Sequence, residues 1–117
     1  MAKDSIKNLQ KEVIQFRDAR DWKQFHNAKD IALSLVLEAG ELMEHFQWKS
    51  EKEVSEYIKK HKAEISDELA DVFYWVLLIA NDLDIDLPTA VSKKLKKNKK
   101  KYPVKKSKGR SAKYNQL

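Results

Sequence analysis

A chain of 117 residues is long enough for one domain with a core of its own and too short for two. It has no cysteine, which excludes disulfides, thiolate zinc sites and thiol nucleophiles. Its net charge of +6 hides an asymmetry: residues 93–117 hold 12 of the 24 basic side chains and no acid, so residues 1–92 carry the other 12 beside all 18 acids, a net −6.

An acidic body with a cationic end suits a partner that carries both a metal ion and phosphates. It also suits plain nucleic-acid binding by a non-enzymatic helical module, so charge alone leaves two classes open. Two glycines and two prolines leave little material for tight turns, and no alternating β pattern is visible, so an all-α fold is expected. Met1 leads straight into a charged amphipathic segment without a signal-peptide pattern. The longest apolar run, Val72 to Ala80, is nine residues, against the roughly 20 that a bilayer span requires. A cytoplasmic protein with no membrane contact is the expectation.

In chain order, Asp4 is placed to cap a first helix running to about Arg20, with Ile6, Leu9, Val13 and Phe16 as its apolar stripe. Residues 20–27 break the helical period yet contain Trp22, Phe25 and His26. Such a connector is either a lid or a loop folded onto its own core. Asn27 and Asp30 form a cap with an acidic first turn, opening a second helix to about Gln47. Ile31, Leu35, Leu42 and Phe46 line one side of it, and Glu38 lies in the same row. Ser50 and Glu53 spell a capping box, opening a short charged segment to Lys62 that reads as a solvated helix or loop tip. A third helix follows from about Ala63 to Leu83. Between Leu69 and Ala80 it is apolar on nearly every side except at Asp71, so part of it is expected at a subunit interface. Pro88 falls in the first turn of a fourth helix, which should end before Pro103. The organisation expected is a helical catalytic domain over residues 1–103 and an irregular basic tail over 104–117, with no internal repeat.

Two stretches carry the chemistry. Glu38 and Glu41 are three residues apart on the second helix, and Glu68 and Asp71 on the third. Positions i and i+3 share a helix face, and like charges there repel by a few tenths of a kcal/mol even in water. Beside apolar neighbours such as Leu37, Leu42, Leu69 and Val72 the carboxylates must also be desolvated, unless they face solvent and pair with lysines. Two such pairs call for a cation between them. With oxygen ligands only, the set points to Mg²⁺ or Mn²⁺. A di-iron bundle would need Glu three residues before His, and the residues three before His26, His45 and His61 are Lys23, Leu42 and Ile58.

Aromatic residues follow the acids on the same faces. Trp75 is four residues after Asp71, and Glu41 leads through His45 to Trp48. Such rings either stack on a base, worth about 1–3 kcal/mol, or fill the core. Trp48 is the better placed for stacking. Lys94, Asn98 and Lys101 share a face of the fourth helix and suit a polyphosphate. No glycine-rich phosphate loop is present.

Together these residues resemble the MazG-type nucleotide pyrophosphohydrolases, most of all the dCTP pyrophosphatase-like branch. The resemblance covers about Leu9 to Leu117. It rests on the acidic pairs, Glu38-x-x-Glu41 and Glu68-x-x-Asp71. It rests also on Arg20-Asp-Trp-Lys-Gln-Phe-His26, Phe46-Gln-Trp-Lys49, Asp86-Leu-Pro88, Lys94 with Asn98, Lys101-Tyr-Pro103 and Lys113-Tyr114. It implies a four-helix-bundle-like fold completed by oligomerisation, a dimer of dimers. It further implies Mg²⁺-dependent cleavage of a nucleoside triphosphate to the monophosphate and pyrophosphate. On the motif match, Glu38, Glu41, Glu68 and Asp71 hold the metal. Trp22, His26 and Trp48 line the base and sugar pocket, Trp75 joins them as a candidate through its spacing from Asp71, and Lys94 and Asn98 bind phosphate. Two positions depart from the branch pattern: Trp75 stands where a Tyr is common, and Val13 where a His can approach the nucleotide. Among the acids, Glu41 is chosen as the base that activates water, with Glu38 and Glu44 as rivals.

Overall fold

The computed structural model describes residues 5–117, and among them every regular element is helical. Helix α1 spans Ile6–Ala19, a single 3₁₀ turn spans Lys23–Phe25, and α2 spans Ala28–Glu44. Helix α3 spans Glu51–Asp82, α4 spans Leu87–Lys101, and α5 is one turn at Val104–Ser107 before a last 3₁₀ turn at Tyr114–Gln116. The chain forms two compact units, one ending at Asp84 and one of Ile85–Leu117.

Local chemistry accounts for most boundaries in the first unit. The N-cap of α1 is Ser5, whose hydroxyl accepts from the Asn8 amide at 3.1 Å; the cap expected at Asp4 lies outside the described residues. Asn27 caps α2, accepting from the Asp30 amide at 2.8 Å. Ser50 and Glu53 make the reciprocal capping box at the start of α3. The charged segment after Ser50 and the third helix, expected as separate pieces, run together as α3 across a kink at His61 (φ −124°, ψ 25°). There the His61 Nδ1 lies 3.1 Å from the Tyr57 carbonyl oxygen. Helices α1 and α3 end alike: Asp21 and Asp84 follow the C-caps with φ of 54° and 56°, the left-handed conformation that closes a helix and that Asp tolerates.

Helix α3 packs against both α1 and α2. Ile31 of α2 and Leu77, Leu78 and Ala80 of α3 are fully buried. Gln10 ties α1 to α3 by donating to the Leu77 carbonyl at 3.0 Å. The side chain that the apolar stripes did not announce is Arg17, 1% exposed, which donates twice to the Asp82 carboxylate at 2.8 and 2.9 Å. The uncovered apolar surface is wider than expected. Within the Leu69–Ala80 stretch of α3, Leu69 and Phe73 stay exposed at 52% and 38%, and α2 exposes Leu33, Val36, Leu37 and Met43 as well.

In the second unit, α4 begins with Asp86 as N-cap and Pro88 in its first turn, and ends at Tyr102 before Pro103. The segment after Pro103, expected to be irregular, contains the two short helical turns. Tyr114 packs edge-on to Tyr102, with ring centroids 6.2 Å apart, beneath the Lys101 ammonium at 4.7 Å.

Candidate active site

Helices α2 and α3 bring the two acidic motifs together. One carboxylate oxygen from each of Glu38, Glu41 and Glu68 lies within 4.8 Å of the others. Asp71 faces the same group: its charge, with that of Glu41, helps raise the pKa of Glu38 and of Glu68. Burial is the largest cause for Glu38, followed by a shared hydrogen bond and charge repulsion with Glu41, and its pKa is pushed up to about 7. Burial raises that of Glu68 as well. Among the described residues no lysine or arginine pairs with any of the four. The Oε2 atoms of Glu38 and Glu68 are buried without a hydrogen-bond partner. Buried acceptors of one sign, unpaired and converging, have the chemistry of a divalent-cation site with hard oxygen ligands.

The quartet stands between two cavities of different character. The first, about 470 Å³, is mainly apolar: Val13, Phe16, Trp22, Tyr74 and Trp75 line it, with Glu12, Glu38 and Asp71. The rings meet edge to face, Phe16 with Trp22 at 5.6 Å and with Tyr74 at 6.1 Å, and Tyr74 with Trp75 at 5.1 Å. Such an arrangement holds each ring firmly, as a recognition pocket for a flat ring requires. The second cavity, about 450 Å³, is polar and lined by Glu41, Glu44, His45, Tyr57 and Glu68. Thus Glu38 and Asp71 face the aromatic cavity, and Glu41 and Glu68 the polar one.

Other residues singled out from the sequence fall in three places. His26 packs edge-on to Trp75 at 5.3 Å, and burial, then the Arg17 charge, lowers its pKa. The 20–27 connector is therefore divided, with Trp22 on the cavity, His26 against Trp75, and Phe25 pointing to solvent. Trp48 is 87% exposed, in the turn after α2, and is not among the residues lining either cavity. Lys94 and Asn98 lie one turn apart on α4, in the second unit. Four lining residues were missed, Glu12, Phe16 and Tyr74 on the aromatic cavity and Tyr57 on the polar one. Phe16 and Tyr74 read as core, and Glu12 has no second acid at helical spacing to mark it. For Tyr74 the one cue was its place beside Trp75 in the acidic motif.

Comparison with known proteins agrees with this fold. The model of the MazG-like family matches residues 33–117. The dCTP pyrophosphatase 1 of Rattus norvegicus is 37% identical over 115 residues, and that of Homo sapiens 34%; each alignment covers 97% of this chain and 68% of the relative. A crystal structure of a pyrophosphatase from Archaeoglobus fulgidus matches with a TM-score of 0.79 at 37% identity, over 83% of this chain and 91% of that one.

Proposed function

The chain belongs to the MazG-like family and is a nucleotide pyrophosphohydrolase, and on that premise we propose that its substrate is dCTP or a modified dCTP, cleaved with Mg²⁺ to the monophosphate and pyrophosphate. The observation that carries this reading is the junction of the acidic cluster with the aromatic cavity, through Glu38 and Asp71. A base seated among Trp22, Trp75 and Phe16 places its phosphates toward the carboxylates. Unaided, those carboxylates would repel a polyphosphate.

Glu38, Glu41, Glu68 and Asp71 are the residues that would hold the cation, and Mn²⁺ fits the same oxygen donors. When bound, the ion supplies positive charge that offsets the phosphates and the charge developing on the leaving group. Glu41 lies exposed in the polar cavity, with an oxygen close to both Glu38 and Glu68, and we assign it the proton of the attacking water. The water oxygen bonds to the α-phosphorus as the bond from that phosphorus to the bridging oxygen breaks, and pyrophosphate leaves with the electron pair. His26, edge-on to Trp75, supports the wall of the base pocket. Trp48 remains assigned to stacking by the motif alone, and Lys94 and Asn98 offer the ammonium and amide donors that phosphate takes.

Incubation with Mg²⁺ and each common dNTP, including modified cytosines, tests the reading. Monophosphate with pyrophosphate, fastest from a cytosine nucleotide, is the expected product pair. Diphosphate with orthophosphate, or no turnover of any nucleotide, would refute it. Salt-sensitive oligonucleotide binding without turnover would instead favour the nucleic-acid module.

The assembly we propose is a homo-oligomer built from dimers. On α2, Leu33, Val36, Leu37 and Met43 recur at helical spacing, and Val36 and Leu37 are 67% and 69% exposed. Gly40 lies in the same stripe, with open space where a Cβ would stand. A contiguous apolar stripe of this kind marks an association surface. Sedimentation should show dimers or tetramers at micromolar concentration, and Val36→Glu with Leu37→Glu should yield smaller species; a wild-type monomer with full activity would disprove the assembly.

A further inference from the structure

His45 and Tyr57 line the polar cavity, yet the hydrolysis as described uses neither. His45 is half-buried, with its Nδ1 2.6 Å from the Tyr57 hydroxyl and its Nε2 4.0 Å from Glu68 Oε1. A carboxylate facing Nε2 favours the tautomer with its proton on that nitrogen. Nδ1 is then an acceptor, and the Tyr57 hydroxyl donates to it. Tyr57 is itself held from several directions. Its ring stacks on that of His61 at 3.9 Å and 13°, and the Lys49 ammonium lies 4.2 Å from its centroid. His61 is also the residue of the α3 kink and contacts the Tyr57 carbonyl. The kink thus sets the position of a phenol that sets the tautomer of an imidazole beside Glu68.

We propose that Tyr57 and His45 are positioning residues for Glu68: the phenol fixes the imidazole tautomer, and the imidazole N–H steers the carboxylate into the orientation that takes a divalent cation. The inference rests on reading the acidic cluster as a metal site. It gives the charged segment before the kink a role that its composition did not suggest. Partners behind a metal ligand typically carry about 10–100-fold in metal affinity or activity.

The test is Mn²⁺ binding by the full-length, substrate-free chain, read as free Mn²⁺ by electron paramagnetic resonance. His45→Leu should weaken binding about tenfold, and His45→Gln, which keeps an N–H donor on a side chain of similar reach, should restore most of it. Tyr57→Phe deletes one oxygen and should weaken binding by a smaller factor; it carries the test if His45→Leu fails to fold. The double variant should be no weaker than His45→Leu alone, because both act through one chain of contacts. Affinities within about twofold of wild type in Tyr57→Phe and in folded His45→Leu would overturn the positioning role while leaving the metal site standing. Absence of Mn²⁺ binding by the wild-type chain would overturn the metal site, and this inference with it.

Discussion

Glu38→Gln is expected to lower nucleotide turnover by more than about a hundredfold, the upper end of what even outer partners of a metal site cost, and Asp71→Ala to do the same. The metal-free fold should respond in the opposite direction. Burial and the charges of Glu41, Asp71 and Glu68 raise the Glu38 pKa to about 7 from an ordinary value of 4.5. Between those two values the folded chain binds a proton that the unfolded chain releases. The resulting stability is fully present below about pH 4.5 and is lost as pH rises through about 7. In chelator, the wild-type melting temperature should therefore carry a component that falls from about pH 5 to pH 8. Glu38→Gln cannot ionise and should flatten that component, melting above wild type at the alkaline end. A divalent cation should raise the wild-type value most at high pH, where it no longer competes with the proton. Turnover together with calorimetry across this range checks both halves. A Glu38→Gln variant with near wild-type turnover at limiting Mg²⁺ would remove Glu38 from the metal set.

The parts of the fold set by local rules were legible in the sequence. Asn27, Ser50 with Glu53, and Pro88 each act through one or two neighbouring backbone groups, and each starts its helix where expected. The acidic quartet was legible because helical spacing projects directly onto a face. The kink at His61 was not, since it depends on a side-chain contact to a carbonyl one turn back and on stacking with Tyr57. Nor could the sequence separate the two cavities. That division depends on how α2 and α3 pack, which turns Glu38 toward Trp22 and Glu41 toward Tyr57. The apolar surface was legible only in part for a similar reason. Packing by α1 and α2 covers Leu77, Leu78 and Ala80 of α3 and leaves Leu69 and Phe73 exposed, while the exposed apolar residues of α2 carried no separate signal in the sequence. Arg17 escaped notice because a charged residue in an amphipathic helix reads as solvated unless its partner, 65 positions away, is known.

Asp82→Ala should be among the most destabilising single substitutions in the chain. It leaves the Arg17 guanidinium, 1% exposed, without its bidentate partner. Breaking a buried ion pair from one side costs about 3–5 kcal/mol, and here the remaining charge is out of water with only the exposed Asp18 carboxylate, 3.7 Å from its Nε, left to offset it. For a domain near this size that is a fall in melting temperature on the order of 12–20 °C. Replacing both partners, as Arg17→Met with Asp82→Leu, should recover most of the loss, since the desolvated charge is then gone. The pair also predicts an acid limb. The hydrogen bond from Arg17 is the main reason the Asp82 pKa lies below its ordinary value, so its stabilisation is complete above about pH 4 and is lost as pH falls through the folded value. Urea titrations at pH 7 and pH 3 should therefore show wild type and Asp82→Ala far apart at the first and closer at the second. Function should register the same contact. The Arg17 carbonyl accepts from the Trp22 amide at 3.2 Å, so the residue anchored by Asp82 also holds the turn that presents Trp22 to the aromatic cavity. Where Asp82→Asn still folds, its KM for nucleotide should rise more than its kcat falls. A loss below about 1 kcal/mol in Asp82→Ala would show that Arg17 finds water or another partner, and that the ion pair is not what joins α1 to α3.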